Sequence, residues 1–311
     1  MLANIAHSKL PVEQFNTELR DICGAFQTQA TEQQTEHRGA LQVEERFGLE
    51  FAHVATDIHA IRRSNRDVRQ DDGENFFLIF QEEGRALMSQ NDTTCMLQPG
   101  DMILIDSAKP SEFTFFGKFQ RQLSLHLPRQ EMSKRFGELI HGGKFLTQND
   151  QTAQALSAVV SKAFAHNSNE TQSNYLREAL FGLIGAMLFE QASDPNAAGI
   201  DADVSGAQTL KGGLNFIDQC FSNNELTIPQ VADHLGTSMR QLQRSFALIG
   251  TTPTDYLIQK RLEHACQLLL ARHSKPGTQL VSTIAYASGF NDVSYFNRQF
   301  RRAFGCAPGQ F

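Results

Sequence analysis

The sequence predicts an α+β chain of two domains, a β-rich N-terminal half closed by helices and an all-helical C-terminal half. Three observations carry that reading. Between about residues 41 and 127, short apolar runs are separated by turn residues, the pattern of a small antiparallel barrel or sandwich. Residues 190–208 fall in "EQASDPNAAGIDADVSGAQT", which is rich in Ala, Gly, Ser and Asp, shows no apolar period, and therefore reads as a flexible linker. Beyond it, one helical pattern occurs twice. A chain of 311 residues is long for a single core, and the division falls at 1–189, a linker 190–208, and 209–311.

In chain order, "FFLIF" (76–80), "RALMS" (85–89), "TCMLQPGDMILID" (94–106) and "QRQLSLHL" (120–127) each have strand length, with Pro99-Gly100 marking a turn inside the third. "QTAQALSAVVSKAFAH" and "NYLREALFGLIGAMLFEQ" then carry the period of helices. The most apolar run, 180–189, is far too short to span a bilayer, and the N-terminus lacks the basic-then-apolar layout of a signal peptide. The five cysteines are scattered, with neither a disulfide framework nor a metal spacing, which fits reduced thiols in a cytoplasm.

After the linker, "VADHLGTSMRQLQRSFALIGTTPTDY" and "IAYASGFNDVSYFNRQFRRAFGCAPGQF" share Ala232/Ala285, Gly236/Gly289, Leu242/Phe296, Arg244/Arg298, Phe246/Phe300, Gly250/Gly305, Pro253/Pro308 and Tyr256/Phe311. Each copy reads as a short helix, a glycine turn and a second helix closed by glycine, the layout of a helix-turn-helix. Between them "DYLIQKRLEHACQLLLARH" fits one helix of roughly eighteen residues, about 27 Å, a spacer suited to two helices about one DNA turn apart. "LKGGLNFIDQCF" supplies a further helix to cover a core of Phe246, Leu262, Phe296 and Phe300.

On the second helix of the first copy, Met239, Leu242, Phe246 and Ile249 form the apolar stripe and leave Arg240, Gln243 and Arg244 outward. On the equivalent helix of the second copy, Val293, Phe296, Phe300 and Phe304 are the stripe; Asp292, Ser294, Tyr295, Asn297, Arg298, Arg301 and Arg302 face out. Arg, Gln and Asn are the types that make bidentate contacts with base edges, and arginines near a helix end hold phosphates. Charge is divided to match. The chain carries −6, yet from residue 209 onward ten Lys/Arg face six Asp/Glu, a local +4 that leaves −10 upstream.

"RLEHACQLL", "IAYASGFNDVSYFNRQFRRAFGCAP" and the tandem arrangement resemble the DNA-binding domain of AraC/XylS-family transcription regulators over about a hundred residues. The resemblance implies two recognition helices from one chain in successive major grooves, with base-reading positions at Arg240, Gln243, Arg244, Val293, Ser294 and Arg298. The chain departs from the family pattern in three places: the first copy is one residue shorter between its phenylalanine and glycine, Ala307 stands where the family has serine, and the sequence stops at Phe311 without the family's usual basic tail. "CGAF", "RRSNRDV", "LQPGDMILIDSAKP" and "QLSLHLPR" are similar to the sensor domain of family members that activate aromatic and aromatic-amine catabolism. That similarity implies a cupin-like barrel that binds a small-molecule inducer, helices that dimerise, an operator in double-stranded DNA, contact with RNA polymerase, and no cofactor.

For an inducer pocket, His59, Arg63, Phe77 and Ile79 sit on expected strands, where an arginine beside an aromatic wall suits an aromatic acid or aldehyde. Two alternatives compete. A cupin-type metalloenzyme would need H-x-H and a histidine after Pro99-Gly100, where the chain has Met102, Ile103 and Leu104; only His53 and His59 fall on what reads as one strand face. The other alternative makes the first half a dimerisation platform without a ligand.

Overall fold

Phe76, Leu78 and Phe80 point to one side of a strand and Phe77 and Ile79 to the other, and both sides are buried. A sheet covered on both faces gives near-continuous apolar runs, which is why "FFLIF" shows no polar alternation. The computed structural model describes residues 8–29, 36–71, 73–165, 169–193, 200–274 and 280–311, and the chain divides into two units that meet at Val204 and Ser205.

The first unit contains, in order, β1 (Ser8–Pro11), α1 (Val12–Cys23), β2 (Gln27–Gln29), β3 (Glu36–Arg46), β4 (Leu49–Thr56), β5 (Ala60–Arg63) and α2 (Asn65–Val68). It continues with β6 (Asn75–Gln90), β7 (Thr93–Leu97), β8 (Met102–Asp106), β9 (Ser111–Pro128), α3 (Arg129–Phe136), β10 (Lys144–Leu146), α4 (Gln151–Ala165) and α5 (Glu170–Ser193). The strands form one antiparallel sheet in the order β1-β3-β4-β9-β6-β8-β10, with β2 on β5, β5 also on β9, and β7 on β6. The expected cupin-like barrel is therefore not closed: the path runs from β1 to β10 without joining them.

"FFLIF" and "RALMS" belong to one strand, not two. β6 pairs with β9 along nearly its whole length, with register shifts at Gln81/Glu83 and Glu83/Arg85. Gly84 occupies the shift at φ +78°, where a Cβ would stand 2.2 Å from Oε1 of Gln120. A bulge of this kind needs a residue without a side chain. One face of the sheet, with Phe76, Leu78, Leu104 and Leu125, packs under Leu156 and Val160 of α4 and Phe181 and Ile184 of α5. The opposite face, with Phe77, Ile79, Ile103 and Phe113, packs against Phe15 and Leu19 of α1.

The remaining helices are α6 (Ile200–Cys220), α7 (Ile228–His234), α8 (Met239–Ala247), α9 (Pro253–Ser274), α10 (Val281–Ala287) and α11 (Val293–Phe304). Residues 200–208, expected in a flexible linker, are helical in α6; residues 194–199 of that linker lie outside the described residues. The physical reason is a buried stripe, Ala207, Leu210, Leu214 and Ile217, at three- and four-residue steps. Gly212 and Gly213 let α6 press close, since a Cβ on them would stand 2.7 Å from Leu235 and 2.7 Å from Phe246. The core expected to unite Phe246, Leu262, Phe296 and Phe300 is divided: Leu262, Ile284, Phe290, Phe296 and Phe300 cluster together, while Phe246 meets α6 and the ring of Tyr256.

Candidate nucleic-acid interface

α8 and α11 are the second helices of the two copies, and each is built the same way. Ser238 caps α8 by accepting from the Gln241 amide at 3.2 Å, and Asp292 caps α11 by accepting from the amides of Ser294 and Tyr295 at 2.6 and 2.9 Å. Those two amides hold the Asp292 carboxyl below the ordinary carboxylate range. Asp292 is thus the cap of α11 as well as an exposed residue. Gly236 and Gly289, at φ +61° and +86°, make the turns before the caps, and Gly305 closes α11 at φ +77° with its amide on Arg301 O at 2.9 Å.

Burial sets the rotation of both helices. Leu242 and Phe246 are buried on α8, as are Phe296 and Phe300 on α11, each phenylalanine stabilising its fold by about 1.5–3 kcal/mol through burial. At about 100° per residue, Ser294, Arg298 and Arg301 lie within about 60° of one another on the side opposite the phenylalanines. Arg240 and Arg244 occupy the same side of α8, and Gln243 and Asn297 flank it in register. Arg240, Gln243, Arg244, Ser294, Asn297, Arg298, Arg301 and Arg302 are all exposed. The expectations differ in detail: Met239 is 36% exposed and Ile249 half-buried, so neither is a full member of the buried stripe, while Val293 and Tyr295, the latter expected to face out, are half-buried against the Phe296 cluster. The guanidinium of Arg298 lies 5.8 Å over the ring of Tyr295, which steadies it on the outer face. The spacer α9 has 22 residues, about 33 Å, four residues longer than the sequence pattern gave.

The inducer candidates do not come together as expected. His59 lies between β4 and β5, off any strand, so it shares no strand face with His53 of β4. Arg63 is buried and committed to protein groups: Nε donates to Ser107 O at 2.7 Å, Nη1 to Ala25 O and to Asp71 at 2.8 Å each, and Nη2 pairs with the same carboxylate. Its guanidinium also covers the Phe26 ring at 5.3 Å. "CGAF" and "RRSNRDV" therefore meet in one clasp. Phe77 and Ile79 belong to the core beneath α1.

Sequence reasoning passed over His126, which touches Phe77 with ring centroids 4.7 Å apart. Its Nδ1 lies 3.4 Å from Glu50 and its Nε2 4.0 Å from the Cys23 thiol. Burial lowers the His126 value, partly opposed by Glu50, and burial with the Glu50 charge pushes the Cys23 thiol up to about 12. The alternation of Leu123, Leu125 and Leu127 was the available signal, because it sends Ser124 and His126 to the opposite face. Among the described residues, no group of three or more His, Cys, Asp or Glu is placed to hold a metal ion, and no helix is long and apolar enough to cross a membrane.

A mixed α/β chain with a β-sheet unit and a helical unit presenting two exposed basic helices defines a DNA-binding transcription regulator of the helix-turn-helix class. Residues 231–311 match the sequence profile of a helix-turn-helix domain and residues 35–189 that of an AraC-binding-like domain, so the chain belongs to the AraC/XylS family. Transcriptional activator NphR of Rhodococcus sp is 26% identical over 269 residues, 85% of this chain and 78% of NphR. The HTH-type transcriptional activator RhaS of Pectobacterium carotovorum subsp. carotovorum is 30% identical over 159 residues, and the chain spans 52% of RhaS with 51% of its own length. Among solved structures, the AraC-like transcriptional activator CuxR has the same fold, with a TM-score of 0.50 at 13% identity over 94% of this chain and 99% of CuxR.

Proposed function

We propose that this chain is a cytoplasmic, homodimeric activator that binds an operator in double-stranded DNA and recruits RNA polymerase to a catabolic operon in response to a small-molecule inducer. The observation that carries the proposal is the matched pair of exposed faces, Arg240, Gln243 and Arg244 on α8 and Ser294, Asn297 and Arg298 on α11, on helices with the same capped geometry. Those residues read bases; Val293 contributes an apolar contact at the edge of its face, and Arg301 and Arg302, in the last turn of α11, hold phosphates. The activator role is that of NphR and RhaS, carried over as part of this proposal. Homodimerisation is supported by α5, whose Tyr175, Ala179, Gly182, Ala186 and Phe189 form an exposed stripe at three- and four-residue steps.

The inducer site we assign to the N-terminal unit centres on the sheet face that carries Phe77, Ile79 and His126, with Arg63 left to its clasp. An aromatic amine such as phenylethylamine suits it, because the Glu50 carboxylate beside His126 is 62% exposed and offers a counter-charge next to an aromatic wall. Selection from a randomised duplex pool, followed by anisotropy titration at fixed salt, tests the DNA role. Recovery of no enriched sequence would remove it. Thermal shift with aromatic amines, acids and aldehydes tests the inducer class, since a ligand at about a hundredfold excess over its Kd adds about 2.7 kcal/mol.

A further inference from the structure

The two copies of the repeat are not equivalent at their turns. Aligned residues are offset by 53 from Ala232/Ala285 to Gly236/Gly289 and by 54 from the caps Ser238/Asp292 to Phe246/Phe300, so the second copy carries one extra residue between its glycine and its cap. At Gly236 a Cβ would meet nothing within 4 Å, and glycine there serves the positive φ alone. Gly289 is different. A Cβ on it would stand 2.4 Å from Phe221 O, 2.9 Å from Arg261 Nε and 3.1 Å from the Ser222 carbonyl carbon.

Phe221 to Asn224 form the loop that leaves α6 and leads into α7, the first helix of the first copy. Helix ends leave carbonyls without partners, and here another helix supplies the donors. Arg261 of α9 donates from Nε to Phe221 O and from Nη2 to Asn223 O, both at 2.8 Å. Asn291, in the turn that holds the extra residue, donates from Nδ2 to Asn224 O at 2.8 Å. The turn of the second copy thus rests on the loop that introduces the first; Asn291 fastens the turn to that loop, and Arg261 fastens the same loop to α9.

We propose that Arg261, Gly289 and Asn291 form a clamp that fixes the two helix-turn-helix copies as one rigid reader, with Arg261 and Asn291 as positioning residues that set the spacing of DNA boxes the chain accepts. The inference rests on the reading in which α8 and α11 of one chain enter successive major grooves. Without the clamp the copies are joined by α9 and its packing alone; each still reads its own box, and the second binding event loses its preset geometry. Adding one base pair between boxes rotates the second by about 34° and shifts it by about 3.4 Å, so a rigid reader is sensitive to spacing and a loosened one is not.

The test uses the full chain, an operator recovered by selection, the same duplex with one base pair added or removed between boxes, and a duplex with one box randomised. The wild type should lose about tenfold or more in affinity on the respaced duplexes. Arg261→Gln should bind the native two-box duplex about tenfold more weakly, keep its affinity for the single-box duplex within about twofold, and show a reduced respacing loss. Asn291→Ala, which removes one surface hydrogen bond and leaves both cores intact, should shift in the same direction by less. The clamp is overturned if both variants keep the wild-type respacing loss, or if they lose as much on the single-box duplex as on the two-box one. Wild-type binding that ignores respacing would overturn the two-groove reading, and the clamp with it.

Discussion

Replacing Arg63 with alanine separates a structural arginine from an inducer-binding one. The side chain is 1% exposed and donates to Ser107 O, Ala25 O and both oxygens of Asp71, tying three separate segments together. Its loss strands two carbonyls that burial keeps from water, and leaves Asp71 with the amides of Ala25 and Gly73 but without its charged partner. Breaking a buried pair costs about 3–5 kcal/mol, and because the Asp71 side chain is 30% exposed and rehydrates in part, the lower end, about 3 kcal/mol, applies. At about 1.4 kcal/mol per tenfold, openings that expose the amides near Ala25 and Ser107 become more frequent on the order of a hundredfold. Hydrogen exchange followed by mass spectrometry on the full chain reads this in peptides covering 23–29 and 105–110. Exchange within a few-fold of wild type, together with lost response to an aromatic inducer, would refute the structural assignment and return Arg63 to the pocket.

Acid should weaken the same clasp. Burial alone would raise the carboxyls of Asp67 and Asp71, but hydrogen bonds from Ser64 and Gln27, and from Arg63, Ala25 and Gly73, hold them below the ordinary range. A depressed folded value contributes stability above the unfolded value, about pH 4, and loses it as pH falls through the folded one; thermal midpoints taken downward from about pH 5 should drop, and less steeply in Asp67→Asn. Arg244→Ala should cost about 1–3 kcal/mol on the selected operator and relax preference at one base pair, whereas Arg302→Ala should weaken all duplexes alike and lower the salt slope by about one. Equal effects of the two across sequences in a gel-shift series would reverse their roles. Ala186→Glu, on the exposed stripe of α5, should change folding stability by no more than about 0.5 kcal/mol yet yield monomers in sedimentation at micromolar concentration; persistence of the dimer would move that interface elsewhere.

The helices α8 and α11 were legible in the sequence because everything that defines them is local: the caps, the turn glycines and the phenylalanine stripes lie within a few residues, and the pattern appears twice. Long-range partners were not. Arg63 finds Ala25 and Ser107 across about forty residues in each direction, and Arg261 finds Phe221 and Asn223 at a similar distance. No spacing rule connects such positions, so Arg63 read as a ligand anchor and Arg261 drew no attention. "QEEG" between "FFLIF" and "RALMS" has the composition of a turn, yet β6 runs through it because β9 supplies continuous partners on either side of the bulge. Closure of the sheet depends on which edges meet, which the apolar pattern of individual strands does not encode. The start of α6 was missed because residues 200–206, "IDADVSG", are mostly small or acidic and show no apolar period.

An open sheet keeps its edges, and one of them is only partly covered. β1 protects β3 from Glu36 to Gly39, and among the described residues no strand flanks the rest of that outer side, Ala40 to Arg46. Exposed amides and carbonyls along seven residues are a template for another chain. This stretch, "ALQVEER", ends in three charged residues, whose hydration opposes pairing with a second strand. Neutralising Glu44 and Glu45 would leave the half-exposed Val43 in an unguarded strand, and the hazard in such a variant is filament growth from folded molecules, with no unfolding required.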